Sequence, residues 1–470
     1  MKSKRSGIQH TSGIILFSLW IGFFSGSAGA AGKEYALDNG LKLIVKEDHR
    51  APVVVSQVWY KVGSSYEHDG ITGLSHVLEH MMFKGTKNHP AGEFSRIISA
   101  NGGSENAFTG MDYTAYFQTL EKSRLAISFE LEADRMRNLL LPADEFAREI
   151  EVVKEERRMR TEDDPESYTQ EVAMATAFQT SPYRHPIIGW MNDLEAMTID
   201  SLYDWYQHWY APANATVVVV GDVDAEVVYQ LAIRYFGPLP AGKPVPAANR
   251  SETEQRGLKR AKVKRPAELP SLLMLYKTPV LRNHPVDDSN TGDWEPYALE
   301  VLAGILDGGN SARFASRLIR GKEIAASAGV SYNLISRMDN ALTLSGTPAQ
   351  GHTVADLERA MLDEIVDIQT SLVADSELER VKAQVVSGDV YERDSVFYQA
   401  MVIGMLETVG LSWRLADEYV ERISAISPEQ VRQVARKYLV DDYLTITELE
   451  PLPLDGHAPQ DTTGGQGHVR

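Results

Sequence analysis

The sequence TGLSHVLEHM, residues Thr72 to Met81, places two histidines and a glutamate at helical spacing. His76 and His80 are four residues apart, so on a helix their imidazoles lie about 40° apart and can reach one zinc ion. Glu79 lies about 60° from His76, where its carboxylate can contact a water molecule on the metal without binding the metal itself. This H-x-x-E-H spacing predicts a zinc site in which Glu79 is the general base.

A catalytic zinc site needs a third protein ligand. The segment Glu145–Arg160, EFAREIEVVKEERRMR, is helical in pattern and rich in carboxylates. Glu149 and Glu156 are seven residues apart and share one helix face, whereas Glu155 points about 100° away from Glu156. A charged, solvated helix has the same composition. Reasoning from the residues alone therefore leaves Glu149, Glu155 and Glu156 open as the third ligand.

The chain runs through a similar order of elements twice. Its first half opens with the strand-like Val53–Val62 and closes with the buried strand Ala215–Val220. Its second half opens with the strand-like Leu272–Pro279 and closes with Tyr443–Leu449. Helical patterns lie between these strands in both halves. We therefore expect an α+β fold of two homologous domains, each of which packs helices against a sheet.

The composition narrows the class of protein. A length of 470 residues predicts two or three domains. The chain has no cysteine, which excludes a disulfide framework, a thiolate nucleophile and a cysteine-bound metal. Any metal must then be held by His, Asp or Glu. The net charge of −18 argues against a nucleic-acid-binding protein, which would carry a basic patch.

The N-terminus is typical of a secretory signal peptide. Lys2, Lys4 and Arg5 are followed by the apolar stretch Gly13–Phe24 and by Ala28-Gly29-Ala30, an A-x-A cleavage site. The apolar stretch is shorter than the roughly 20 residues that a transmembrane helix needs. We expect an exported protein, most simply a periplasmic one, with no stable membrane anchor.

These features predict the domain boundaries. Residues 1–30 form the signal peptide, 31–240 the zinc-bearing domain and 266–450 the second, zinc-free domain. Residues 241–265 are rich in Pro, Gly and charge and are predicted to be a linker. Residues 451–470 contain almost no core-forming side chains and are predicted to be a disordered tail.

The H-x-x-E-H motif, followed by a helix that carries Glu149 and Glu156 seven residues apart, resembles the pattern of the pitrilysin-type (inverzincin) zinc metallopeptidases. The resemblance is to the bacterial two-domain branch related to mitochondrial processing peptidase. The resemblance covers nearly the whole chain after the signal peptide. It implies two duplicated domains with mostly antiparallel sheets, and one Zn²⁺ per chain bound by His76, His80 and Glu156. It also implies that Glu149 is a second catalytic glutamate and that Glu155 lies on the surface.

The segment Asn101–Tyr116, NGGSENAFTGMDYTAY, resembles the active-site edge strand of that family. The resemblance implies that Asn106 and Ala107 hold the substrate beside the scissile bond and that Phe108 makes a nearby apolar contact. An exposed edge strand binds an extended peptide through main-chain hydrogen bonds. A plain hairpin that turns at Gly102-Gly103 is the alternative.

In the second half the family has an Arg and a Tyr, seven residues apart, that bind substrate and stabilise the oxyanion. Arg320 matches the Arg, but Ser327 stands at the Tyr position and Tyr332 is out of register. A serine is too short to replace a phenol. We therefore expect the chain to need a second family subunit, in a homo- or heterodimer, that supplies this pair.

The sequence thus predicts a zinc endopeptidase that acts on short or unfolded polypeptides, with Glu79 as general base. The alternative is a non-catalytic binding or assembly subunit that retains the peptidase fold. The intact H-x-x-E-H motif favours the enzyme.

Overall fold

The structure is a computed structural model that describes residues 32–243, 250–282 and 294–454. The predicted signal peptide lies outside these residues, as does the predicted tail from residue 455 onward.

The first half of the chain forms a six-stranded sheet in the order β1-β2-β6-β3-β5-β4. Strands β2 and β6 are parallel, and the other neighbours are antiparallel. The strands are β1 (Lys33–Ala36), β2 (Lys42–Glu47), β3 (Val53–Tyr60), β4 (Ser104–Thr109), β5 (Thr114–Glu121) and β6 (Ala215–Gly221).

The second half forms a five-stranded sheet in the order β7-β11-β8-β10-β9, with β7 and β11 parallel and the other neighbours antiparallel. Its strands are β7 (Lys259–Pro266), β8 (Ser271–Thr278), β9 (Ala325–Ser331), β10 (Asn340–Pro348) and β11 (Leu444–Leu452). Apart from β1, the two sheets have the same strand order. The predicted α+β fold of two homologous, mostly antiparallel domains is confirmed.

The helices of the first half are α1 (Leu74–Met81), α2 (Glu93–Ala100), α3 (Leu125–Asn138), α4 (Ala143–Arg157), α5 (Pro165–Ala177), α6 (Met191–Ala196), α7 (Ile199–Trp209) and α8 (Ala225–Tyr235). Those of the second half are α9 (Glu295–Asp307), α10 (Val354–Thr370), α11 (Asp375–Glu392), α12 (Val396–Thr408), α13 (Leu415–Ser424) and α14 (Pro428–Tyr438). A π-helical turn, Arg158–Glu162, follows α4 directly. Across the described residues, no helix combines the length and the apolarity that crossing a membrane requires.

The two halves exchange a helix. Helix α5 of the first half packs against β7, β8 and β11 of the second sheet, and α12 of the second half packs against β3 and β6 of the first. Ala400 and Ile403 of α12 lie in one buried cluster with Trp59 and Val218. Each sheet is thus covered on one face by helices of its own half and on the other by the exchanged helix. This explains why every residue of β6 is buried.

The predicted linker, residues 241–265, extends too far. Strand β7 begins at Lys259 and pairs with β11, so the last seven residues of the predicted linker belong to the second sheet. β7 lies at the sheet edge and buries only Val263. Its other side chains are mostly Lys and Arg. Charged side chains are common on edge strands, and here they hide the alternating apolar pattern by which a strand is recognised in a sequence. Residues 244–249 of that segment lie outside the described part of the chain.

Candidate active site

Helix α1 presents His76, Glu79 and His80 to one side. The helix begins after Gly73, whose φ of +89° suits glycine. The buried carboxylate of Glu67 accepts hydrogen bonds from the backbone N–H groups of Gly73 and Ser75, both at 2.7 Å. An acidic side chain at a helix N-terminus satisfies free N–H groups and stabilises that end. The turn that carries His76 is therefore held firmly.

Helix α4 brings Glu156 opposite the two histidines. Glu156 Oε2 lies 3.9 Å from His76 Nε2 and 3.5 Å from His80 Nε2. Its second oxygen, Oε1, lies 2.6 Å from the guanidinium of Arg160. Glu155 points away, because its side chain is 60% exposed and pairs with Arg158 at 2.9 Å.

The donor set fits a zinc ion. Potential ligand atoms of His76, His80 and Glu156 all lie within 4.8 Å of one another, a grouping unique within the described part of the chain. Tetrahedral zinc with bonds of about 2.0–2.1 Å separates its ligands by roughly 3.4 Å, close to the distances found here. Two imidazoles and a carboxylate are also the ligands that catalytic zinc sites use.

The two imidazoles have opposite electrostatic environments. Burial lowers the pKa of His76 to about 4, and the nearby His80 acts in the same direction. Burial also lowers the pKa of His80, but hydrogen bonds with Glu149 and Glu156 outweigh it and raise that pKa to about 9. His76 is therefore neutral at pH 7 and ready to bind a metal, whereas metal binding at His80 must release a proton.

Glu149 contacts the Nδ1 atom of His80, whereas Glu156 faces the Nε2 atom of the same ring. Its Oε2 is 3.3 Å from His80 Nδ1, and its Oε1 is 2.5 Å from Lys84 Nζ. The hydrogen bond with His80 and, next, the Lys84 ammonium lower the pKa of Glu149 to about 2. A carboxylate on the far nitrogen of a ligating histidine fixes its ring orientation and its tautomer.

Glu79 has the environment of a general base. Thr109 donates a hydrogen bond from Oγ1 to Glu79 Oε2 at 2.6 Å, which orients the carboxylate. Burial raises the pKa of Glu79 above its ordinary value, and the Thr109 hydrogen bond opposes that rise. A raised pKa makes a carboxylate a better proton acceptor near neutral pH.

These groups line one open cleft of about 1050 Å³. Strand β4 forms one wall and contributes Asn106, Ala107 and Phe108. Among the described residues, β4 ends the sheet and pairs only with β5, so its other edge can accept an extended peptide. The structure therefore brings together all the predicted first-half residues: His76, Glu79, His80, Asn106, Ala107, Phe108, Glu149 and Glu156.

The second-half residues lie elsewhere. Arg320 is exposed at the end of a π-helical turn, Phe314–Ile319, with Nε 3.3 Å from the carbonyl oxygen of Ala315. It is not among the described residues that line the cleft. Ser327 is exposed on β9, the edge strand of the second sheet. The Tyr332 hydroxyl donates to the carbonyl oxygen of Pro279 at 2.5 Å.

Sequence reasoning missed three side chains that support the site: Thr109, Lys84 and Arg160. Lys84 and Arg160 each follow a proposed ligand by four residues, so helical spacing would have placed them on the same side. Thr109 ends the strand that contains Asn106, but no local pattern links it to Glu79. The packing of β4 against α1 brings the Thr109 hydroxyl to the Glu79 carboxylate.

Two family models match this chain. One, described as insulinase, peptidase family M16, matches residues 42–190. The other, described as peptidase M16 inactive domain, matches residues 196–385. The first match contains the H-x-x-E-H motif as well as Glu149 and Glu156. The second covers most of the half that lacks the motif.

Relatives and solved structures agree with these matches. The chain is 29% identical to the zinc protease PqqE of Helicobacter pylori, over 94% of this chain and 97% of that protein. It is 25% identical to YmxG of Bacillus subtilis, named an uncharacterized zinc protease, over 87% of this chain and 96% of that protein. A crystal structure of a protease from Helicobacter pylori matches with a TM-score of 0.84 and 28% identity, over 90% of this chain and all of that one.

Proposed function

The chain belongs to peptidase family M16, and from that premise we propose that it is a zinc-dependent endopeptidase that hydrolyses peptide bonds in short or unfolded polypeptides. The names of its relatives support a peptidase that uses zinc. One observation carries the proposal. His76, Glu79, His80 and Glu156 line the same cleft as the unpaired edge of β4.

In this mechanism His76, His80 and Glu156 would hold one zinc ion, and Glu149 orients His80. A bound zinc ion would supply a Lewis acid for the scissile carbonyl and would lower the pKa of water to near 7. Glu79 accepts the proton of the attacking water on its carboxylate and later donates it to the leaving amine. Thr109 keeps the Glu79 carboxylate oriented during both transfers.

The substrate binds as an added strand along β4. Main-chain hydrogen bonds to an edge strand make little demand on side chains, which suits a peptidase of broad sequence preference. Asn106 and Ala107 hold the peptide beside the scissile bond, and Phe108 contacts a neighbouring apolar side chain. Most backbone N–H and C=O groups of a folded domain are already hydrogen-bonded within that domain, so short or unfolded chains are the expected substrates.

A partner subunit completes the site in this proposal. Ser327 stands where a tyrosine is expected, and the Tyr332 hydroxyl already donates a hydrogen bond to the carbonyl oxygen of Pro279. A second family subunit would supply an Arg and a Tyr. Cleavage rates of the purified chain, alone and mixed with a candidate partner, test this step. Full activity of the isolated chain would contradict it.

The periplasm is the proposed location, because residues 1–30 have the pattern of a secretory signal peptide. Fractionation of cells that express the full chain tests this, with the size of the mature protein as the second readout. Recovery of an uncleaved chain from the cytoplasm would count against export.

The decisive experiment compares wild type with Glu79→Gln, which keeps the shape of the side chain and removes the base. We expect one zinc ion per chain in both proteins and peptide cleavage only in the wild type. Normal cleavage by Glu79→Gln would overturn the mechanism. Zinc without cleavage in the wild type, with or without a partner, would favour the non-catalytic subunit instead.

A further inference from the structure

Helix α5 belongs both to the cleft wall and to the core of the second half. Four of its residues line the cleft: Ser167, Gln170, Glu171 and Met174. Ala173 and Ala177 are fully buried in a cluster with Leu275 of β8, and Met174 also packs against this cluster. The small alanine side chains let the helix approach the second sheet closely. Helix α5 thus both lines the proposed zinc cleft and is fixed in the second domain.

Side chains of the second half also fix α5 near both ends. Lys259 of β7 donates from Nζ to the carbonyl oxygens of Thr176 and Ala177, each at 3.0 Å, and so caps the last turn. The guanidinium carbon of Arg265 lies 3.8 Å from the centre of the Tyr168 ring near the first turns. The position of α5 is therefore set by the second sheet.

Arg157 connects α5 to the helix that carries Glu156. Arg157 follows Glu156 directly, ends α4 and is only 4% exposed. Its two terminal nitrogens donate to the two carboxylate oxygens of Glu171 at 2.8 and 2.9 Å. This bidentate geometry fixes the guanidinium in both position and orientation. Because both side chains are buried, solvent and salt screen the pair little.

We propose that the Arg157–Glu171 ion pair positions Glu156 for zinc binding, so that the second domain sets the geometry of the zinc site through α5. This inference rests on the proposed function. The chain changes from α-helix to π-helix immediately after Arg157, and such a change often occurs at functional sites. The ion pair anchors the chain one residue from the proposed ligand, at the point where the helical geometry changes.

The test measures zinc affinity by competition with a chelator for wild type and Glu171→Gln. We expect about tenfold weaker zinc binding in Glu171→Gln, as is typical when a supporting contact of a metal ligand is lost. The absorption spectrum of the cobalt-substituted protein should change as well, because ligand geometry sets it. A role in folding alone would lower the melting temperature without changing either readout.

The matched control is Glu407→Gln. Glu407 lies on α12, the other exchanged helix, and its buried carboxylate is 2.7 Å from Lys42 Nζ of β2. This variant also weakens an ion pair between the halves whose carboxylate is buried, but neither partner lines the cleft of the proposed zinc ligands. We expect its zinc affinity to equal that of the wild type. Equal losses of zinc affinity in Glu407→Gln and Glu171→Gln would overturn the inference.

A double variant, Arg157→Met with Glu171→Leu, covers the case in which Glu171→Gln folds poorly. Replacing a buried ion pair by apolar residues often preserves stability. We expect a folded protein with weakened zinc binding, and wild-type zinc affinity in this variant would overturn the inference. A wild-type chain that binds no zinc would instead overturn the proposed function. A wild type that binds zinc but cleaves no peptide, either alone or with a partner subunit, would refute the proposed activity while leaving the positioning role supported by the affinity data.

Discussion

The choice between neighbouring glutamates depends on side-chain direction. Glu156 faces both histidines and its side chain is 16% exposed, whereas the Glu155 side chain is 60% exposed. We expect Glu156→Gln to lose bound zinc and Glu155→Gln to retain it, because only the first removes a negatively charged ligand. Metal analysis after gel filtration measures both. Equal zinc loss in the two variants would refute the ligand assignment.

Glu149 should act through His80. In Glu149→Gln the partner of His80 Nδ1 and of Lys84 loses its charge, so the His80 ring is held less firmly. Loss of such a partner typically weakens metal binding or activity by about 10- to 100-fold. Chelator competition and peptide cleavage measure the two effects. Glu151→Gln is the control, because Glu151 is 63% exposed and pairs only with Lys154 in the described residues. Weaker zinc binding or slower peptide cleavage in both variants would indicate a general effect of charge.

For individual site residues, the sequence predicts only those positions that helical geometry determines. The spacing of His76, Glu79 and His80 places them on one side of α1 wherever that helix lies. It cannot select among three glutamates, because that choice depends on how α4 rotates against α1. It also cannot reveal Thr109 or Glu171, whose contacts with the site depend on the pairing of β4 and on the position of α5.

Elements were predictable where their signals are local. Helix α14, Pro428–Tyr438, has a local start signal, since Ser427 and Gln430 form a capping box and Pro428 opens the helix. Strand β6 agrees within one residue. The exchange of α5 and α12 has no local signal. A buried helix face shows that a helix packs on a sheet, but it does not identify which sheet.

The exchanged helix α12 makes a close contact that can be tested. A Cβ added at Gly404 would lie 2.0 Å from Cε2 of Trp59, a fully buried ring. The indole N–H of Trp59 donates to Gln57 at 2.9 Å, which fixes the ring. We expect Gly404→Ala to lower the free energy of unfolding by about 1–3 kcal/mol through overpacking. Urea denaturation measures this.

Gly388→Ala is the matched control. Gly388 lies within α11, and an added Cβ there meets nothing within 4 Å. Replacing a helical glycine by alanine should raise stability by about 0.5–1 kcal/mol. If Gly404→Ala were as stable as Gly388→Ala, the α12 contact with the first sheet would be looser than the structure indicates.

At the scale of the molecule, the two halves are joined by more than the exchanged helices. Asp112 accepts from the Tyr183 hydroxyl at 2.5 Å and from the backbone N–H of Arg337 at 2.9 Å, and so ties the two halves together. The Glu252 carboxylate accepts from the backbone N–H groups of Gln179 and Ser181, each at 2.9 Å. The halves therefore form a joint core, which agrees with a zinc site that depends on both.

Glu252 makes this junction sensitive to acid. Burial opposes ionisation of Glu252, but Lys277 at 2.8 Å and the backbone N–H groups outweigh it and lower the pKa to about 2, from an ordinary 4.5. A lowered folded-state pKa means that the contribution to stability is complete above pH 4.5 and is lost as the pH falls towards 2. The wild type should therefore exceed Glu252→Gln in stability by a constant margin at neutral pH, and the margin should shrink below pH 4.5. Melting temperatures across this range measure it, with Glu254→Gln as control because the Glu254 side chain is 70% exposed. A margin that does not change with pH would show that Glu252 acts through packing, and that the charge of Glu252 does not hold the two halves together.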